Sequence, residues 1–148
     1  MYKHILIPTD GSETAEKAVT AGIEFARESG ARITLFTAVP EYQPPGEAAL
    51  MAHQPVISLA EYERVTRETA GAVLDKASAK ARAAGVQHGA DFAFSNRPYQ
   101  AIIDAARRHQ CDVIFIGSHG RSGLGALWYG SETSEVLTHS DIPTLVYR

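Results

Sequence analysis

Asp112-Val113-Ile114-Phe115-Ile116-Gly117 runs directly into Ser118-His119-Gly120-Arg121-Ser122-Gly123-Leu124-Gly125, and five residues later into Gly130-Ser131-Glu132-Thr133. The apolar run 113–116 is continuous instead of alternating, which suits a strand covered on both faces and therefore a parallel sheet. The chain beyond it is glycine-rich: five of the twelve glycines fall between Gly117 and Gly130. Glycines let backbone N–H groups converge on an anion, and the positive end of a following helix favours phosphate. A Ser131 or Thr133 hydroxyl adds a donor. The same residues also fit a plain flexible loop with Ser131 as a helix cap, and spacing alone leaves both readings open.

On the amino-terminal side the pattern alternates strand and helix. Ile5-Leu6-Ile7, stopped by Pro8 and the turn formers Asp10-Gly11-Ser12, reads as a buried strand. A helix follows with Ala15, Ala18, Val19, Gly22, Ile23 and Ala26 on one face, ended by Gly30. Residues 32–39 are a β-branched and aromatic strand. Four of the seven prolines then fall in residues 40–58, predicting a long, mobile connection. A long helix is expected over 59–84, with Tyr62, Thr66, Ala70, Val73, Ala77 and Ala81 inward and Gly85 closing it. Residues 86–95 give a third strand with Phe92 and Phe94 on one face. Pro98 suits the first turn of a helix to about residue 109, capped by Asn96 or Ser95. After the glycine-rich stretch, 131–139 reads as a helix and 142–147 as the last strand. Strands separated by helices favour a parallel sheet with right-handed crossovers and helices on both faces, in one domain over 1–148.

The 148 residues suffice for one core without metals or disulfides. A net charge of -3, from 14 basic and 17 acidic residues, argues against a protein built to grip nucleic acid. The lone Cys111 has no disulfide or CxxC partner and precedes a buried strand, so inert packing in a reducing compartment is expected. The amino terminus has too short an apolar run for a signal peptide, and no stretch reaches a membrane span, so a cytoplasmic location is expected.

In open parallel sheets, ligands bind beyond the carboxyl ends of the strands, where strand order reverses. Two loops leave strand ends there: Pro8-Thr9-Asp10-Gly11-Ser12-Glu13 and the glycine-rich stretch. Asp10 suits a ribose hydroxyl, or else a helix N-cap with Glu13 in the first turn. His119 and Arg121 could meet phosphates or simply be solvated, while Trp128 and Tyr129 are expected to anchor the loop by packing. Sharper motifs fail. Gly125-x4-Gly130 imitates a Walker A loop but has Ser131 where lysine is needed; no GxGxxG follows the first strand and no GxSxG elbow exists. The six histidines lack metal-ligand spacing.

At these residues the chain resembles the universal stress proteins of the nucleotide-binding type. Gly117-x2-Gly120-x9-Gly130-Ser131 matches the family signature without a gap; residues 5–12 resemble its first strand and turn, and residues 136–148 its last helix and strand. The resemblance implies a Rossmann-like three-layer α/β sandwich, adenine nucleotide α-hydrolase-like, with a five-stranded parallel sheet in the order 3-2-1-4-5. It implies an adenine-nucleotide site for ATP, ADP or AMP, with or without Mg²⁺. Pro8, Thr9 and Asp10 would lie along adenine and ribose, and the Ala38 backbone would meet adenine. Ile116 and Gly117 would flank the ribose; Gly120, Gly130, Ser131, the Glu132 N–H and Thr133 would hold phosphates, with His119 and Arg121 nearby. It further implies a homodimer through Thr144, Leu145, Val146 and Tyr147.

Glu132 departs from the family pattern, where a small apolar residue is usual. Turned inward, its carboxylate would repel a triphosphate by on the order of a kcal/mol. Arg121 is the only fixed positive charge in the loop, so a mono- or diphosphate, or a triphosphate with Mg²⁺, fits the sequence. The lead expectation is a small dimeric nucleotide sensor with no catalytic residue. A slow ATP-hydrolysing or self-phosphorylating enzyme, or a nucleotide-free scaffold, stands as the alternative. Against the enzyme, Thr9-Asp10-Gly11-Ser12 replaces the S-G-G-x-D-S turn that hydrolases of the related type carry.

Overall fold

The computed structural model describes residues 1–118 and 129–148. Five strands form one sheet: β1 (His4–Pro8), β2 (Arg32–Val39), β3 (His88–Phe94), β4 (Val113–Gly117) and β5 (Thr144–Tyr147). Their order is β3-β2-β1-β4-β5 and every neighbouring pair is parallel. The helices are α1 (Glu13–Ser29), α2 (Glu47–Met51), α3 (Leu59–Ala83), α4 (Pro98–Arg108) and α5 (Tyr129–His139). α1 packs with α3, and α4 packs with α5. Right-handed crossovers put these pairs on opposite faces, because the chain leaves β1 toward β2 first and toward β4 later. None of the described helices is long and apolar enough to cross a membrane.

The strand pleat divides the core in two. Ile5, Ile7, Ile33, Leu35, Val113 and Phe115 face Val19, Ile23, Leu74 and Ala81 of α1 and α3. Leu6, Phe36, Ile114 and Ile116 face Ile102, Ala105, Ala106 and Val136 of α4 and α5. All five residues of β1 and of β4 are buried, as a doubly covered strand requires. Each large side chain removed from water in this way contributes about 1.5–3 kcal/mol. At Gly22, α1 lies so close to the sheet that a Cβ would come within 2.8 Å of Ile7 Cδ1 and 3.1 Å of Phe115 Cδ1.

Local chemistry sets the element ends, and it corrects several expectations. The N-cap of α1 is Ser12, not Asp10: its hydroxyl accepts from Ala15 N at 3.2 Å. Gly30 ends α1 in the left-handed region at φ 70°, where glycine carries no Cβ penalty. Residues 40–58 are not a bare connection. They contain α2 and are pinned by Tyr42 and Tyr62, whose hydroxyls donate to Ile57 O (2.8 Å) and Pro40 O (2.6 Å). Along α3 the buried face is Ala70, Leu74, Ala77, Ser78 and Ala81, so Leu74 takes the core position expected of Val73. β3 and β5 begin two residues later than expected. Val86 N still closes the end of α3 on Ala81 O, and Pro143 has no N–H to give to a ladder.

Cys111 is buried and its thiol is pushed up to about 11, chiefly by burial, in keeping with an inert packing role. Phe92 and Phe94 share a face of β3, edge to face at 5.7 Å, with the Arg67 guanidinium over both rings.

Candidate functional site

The carboxyl end of β1 is a tight turn fixed by its own side chains. Thr9 N donates to Phe36 O at 2.8 Å, carrying the β1–β2 pairing one residue past Pro8. Thr9 is buried and its Oγ1 accepts from Gly11 N at 3.2 Å. Asp10 Oδ1 accepts from Ser12 N at 2.9 Å, a side-chain-closed turn that leads into the cap of α1. Gly11 holds φ 79°, and a Cβ there would sit 2.9 Å from Val73 Cγ2, so the position excludes other residues on two grounds. The outcome is a half-buried Asp10 at the sheet edge that uses one carboxylate oxygen to hold the turn.

Beside it stands the end of β4, since β1 and β4 are neighbours and the strand order reverses between them. Gly117 pairs with Tyr147, and Ser118 N continues that ladder to Tyr147 O at 2.7 Å. The buried Thr133 hydroxyl donates to Gly117 O at 2.9 Å. Its proton therefore ties the start of α5 to the end of β4, where the sequence suggested a phosphate. Gly130, Ser131 and Glu132 lie in the first turn of α5, with Ser131 exposed. The Ile116 side chain is buried in the core, and Ala38 stands half-buried two residues beyond the Pro8–Phe36 pair.

The Glu132 carboxylate is engaged within the fold. Its Oε2 accepts from Tyr99 N at 2.6 Å, so Glu132 caps the amino end of α4 from another helix. Neither Asn96 nor Ser95 performs that task. Asn96 Oδ1 accepts from Glu41 N at 3.0 Å, Ser95 Oγ accepts from Arg97 N at 3.0 Å, and Arg97 at the cap position makes no side-chain cap bond. Burial raises the Glu132 carboxyl above its usual pKa, and the Tyr99 N–H only partly opposes this. The departure at Glu132 thus serves helix capping.

The structure brings together Pro8, Thr9, Asp10, Ala38, Ile116, Gly117 and residues 130–133 at one sheet edge. His119, Gly120, Arg121 and Trp128 lie outside the described residues. Two lysines that no motif suggested reach the same edge. A cavity of about 240 Å³ between α1 and α3 is lined by Thr9, Gly11, Val73, Lys76 and Lys80 among others. Lys76 pairs with Glu16 of α1, and Lys80 lies 3.9 Å from the same carboxylate. Lys76 and Lys80 are separated from Thr9 by most of the chain's first half, so no local spacing signals them.

Comparison with known proteins matches this arrangement over the whole chain. The profile of the Universal stress protein family covers residues 1–148. The universal stress protein in the QAH/OAS sulfhydrylase 3′ region of Thermus aquaticus is 30% identical over 152 aligned residues, spanning 100% of both chains. Two solved structures share the fold. One is a universal stress protein in complex with cAMP, with a TM-score of 0.71 at 21% identity, covering 99% of this chain and 97% of that one. The other is the universal stress protein from Archaeoglobus fulgidus in complex with dAMP, with a TM-score of 0.65 at 19% identity, covering 99% and 98%.

Proposed function

The chain belongs to the universal stress protein family, and from that premise we propose that it binds an adenine nucleotide between the ends of β1 and β4. The observation that carries this reading is the juxtaposition of the Thr9–Asp10 turn with Gly117 and the first turn of α5 at the reversal of strand order. The cAMP and dAMP complexes of two fold neighbours support the ligand class. In this reading Asp10 accepts from a ribose hydroxyl through the oxygen left over from its turn. Gly117 flanks the ribose, and the backbone of Gly120, Gly130 and Ser131, the Glu132 N–H and the positive end of α5 take the phosphates. Thr133 acts at one remove, by holding α5 against Gly117 O. Pro8, Thr9 and the Ala38 backbone flank adenine, Ile116 flanks the ribose, and His119 and Arg121 come from the glycine-rich loop. The reading takes ATP, ADP or AMP as ligand, and any Mg²⁺ arrives with the nucleotide.

We further propose that the protein works as a small cytoplasmic homodimeric sensor. Among the described residues β5 is an edge strand of the sheet, and Val146 and Tyr147 are exposed on it. Such an edge invites pairing with a second copy. The bound nucleotide would favour one arrangement of the loops, by no more than its difference in affinity for the two states. No catalytic residue is assigned. Single-turnover incubation with labelled ATP tests this: bound nucleotide recovered unchanged after denaturation supports a sensor, while ADP or phosphoprotein formed in the first turnover would make the protein an enzyme.

A further inference from the structure

The amino-terminal edge of the sheet, opposite the nucleotide loops, carries a second cleft, of about 370 Å³. That volume lies within the roughly 300–1,000 Å³ usual for small-molecule sites. The first residues of β1, β2 and β3 and the end of α4 surround it. Arg32, Arg108, His88 and His109 line it with His4 and Thr34, and no acidic side chain does.

The cationic groups are held by named bonds. Arg108 and His109 both donate to Asp91 Oδ2, at 2.6 and 2.7 Å. Burial pushes the Asp91 carboxyl up, but these two bonds and the Arg108 charge outweigh it and hold it below its usual range. Asp91 therefore stays ionised and orients both side chains. His88 Nδ1 lies 3.0 Å from Val86 O and donates to it, which leaves Nε2 for another partner. Asp112 spends its two oxygens on the Lys3 and His4 backbone N–H groups.

Arg32 is different. It opens β2, its backbone N donates to Lys3 O at 3.0 Å, and its guanidinium forms no ion pair among the described residues. The basic residues at the end of α4 answer that helix's negative end. Arg32 opens a strand just past the carboxyl end of α1, and its charge has no carboxylate partner among the described residues. Its field also reaches the floor of the cleft. Burial lowers the His4 pKa, and the Arg32 charge is the next contribution. The His4 imidazole has Nε2 2.8 Å from Thr34 Oγ1, and Nδ1 has no hydrogen-bond partner among the described residues.

We propose that this cleft binds a small anion of the phosphate or phosphate-monoester class. Two guanidinium groups on different elements suit the several oxygens of a tetrahedral anion better than a single planar carboxylate, and His88 Nε2 adds a donor when its ring carries a second proton. The five residues of β1 put roughly 17 Å between this cleft and the nucleotide edge, so the two sites are distinct. The inference stands whether or not the other edge binds nucleotide.

The test is titration of the ¹⁵N-labelled full chain with inorganic phosphate at constant ionic strength, followed by heteronuclear NMR. Saturable shifts at Arg32, Thr34, His88, Arg108 and His109 are expected. Arg32→Gln, at an exposed and unpaired side chain, should leave the rest of the spectrum in place and weaken binding at least tenfold, with Arg32→Lys falling between. Shifts that do not saturate, shifts only at Asp10, Gly117 and Ser131, or equal affinity in Arg32→Gln would each overturn the proposal. A parallel titration with glycerol 3-phosphate separates the sources: tighter binding than phosphate assigns the cleft to phosphorylated metabolites, weaker binding to the free ion.

Discussion

The carboxylate of Glu132 caps a helix 33 residues away in sequence through its bond to Tyr99 N. Pro98 already occupies the first turn of α4 and the local Ser95 and Asn96 side chains are engaged elsewhere, so among the described residues the N–H of Tyr99 is met by Glu132. Removing that acceptor with Glu132→Ala should cost about 1 kcal/mol in chemical denaturation, the usual value of a cap. Glu132→Gln keeps an acceptor oxygen and removes the charge. The folded pKa of Glu132 is raised by burial, so its ionised form costs stability, and that cost appears as pH rises from the unfolded value through the folded one. Glu132→Gln should therefore be at least as stable as the parent at pH 7, with the difference shrinking as pH falls into the carboxylate range. None of this was legible in the sequence, where Glu132 looked like an obstacle to phosphate. A contact between two helices is invisible to local spacing, and at α1 the sequence pointed to Asp10 as the cap where the structure places Ser12, both being good cap residues.

At the scale of elements, periodicity served best where one face dominates. The inward face of α1 carries the six residues expected from three- and four-residue steps, Gly22 among them. The reason for a glycine in mid-helix is now clear: α1 lies against Ile7 and Phe115 with no room for a Cβ beside a ring. Gly22→Val should destabilise by about 1–3 kcal/mol, the range for overpacking, even though glycine is a poor helix former. Thermal denaturation of the variant checks this, and a stability gain would show that α1 can move outward at little cost. α3 was harder to read. Its mean composition is weakly apolar, and small residues on several sides let Val73 and Leu74 compete for the core; the cavity between α1 and α3 leaves Val73 against Gly11 instead. α2 escaped notice because five residues among prolines carry too few positions for a period.

For the whole molecule, the alternation of strands and helices was legible from the residues, and the strand order followed from the family resemblance. The cationic cleft at the amino edge was not, because Arg32, His88 and Arg108 meet only once β2, β3 and α4 are in place. The exposed β5 edge leads to a further expectation. Val146→Lys puts a charge on that strand, and light scattering should then report a monomer where the parent is a dimer; an unchanged mass would move the interface elsewhere. The central claim concerns the opposite end of the strands and is tested most directly by isothermal titration of the full chain with ATP, ADP and AMP, with and without Mg²⁺, for the parent and Gly130→Val. Saturable binding of at least one adenine nucleotide at one site per chain, lost in Gly130→Val while the circular dichroism spectrum is kept, is the predicted result; no heat with any nucleotide, or the same affinity in the variant, would contradict it.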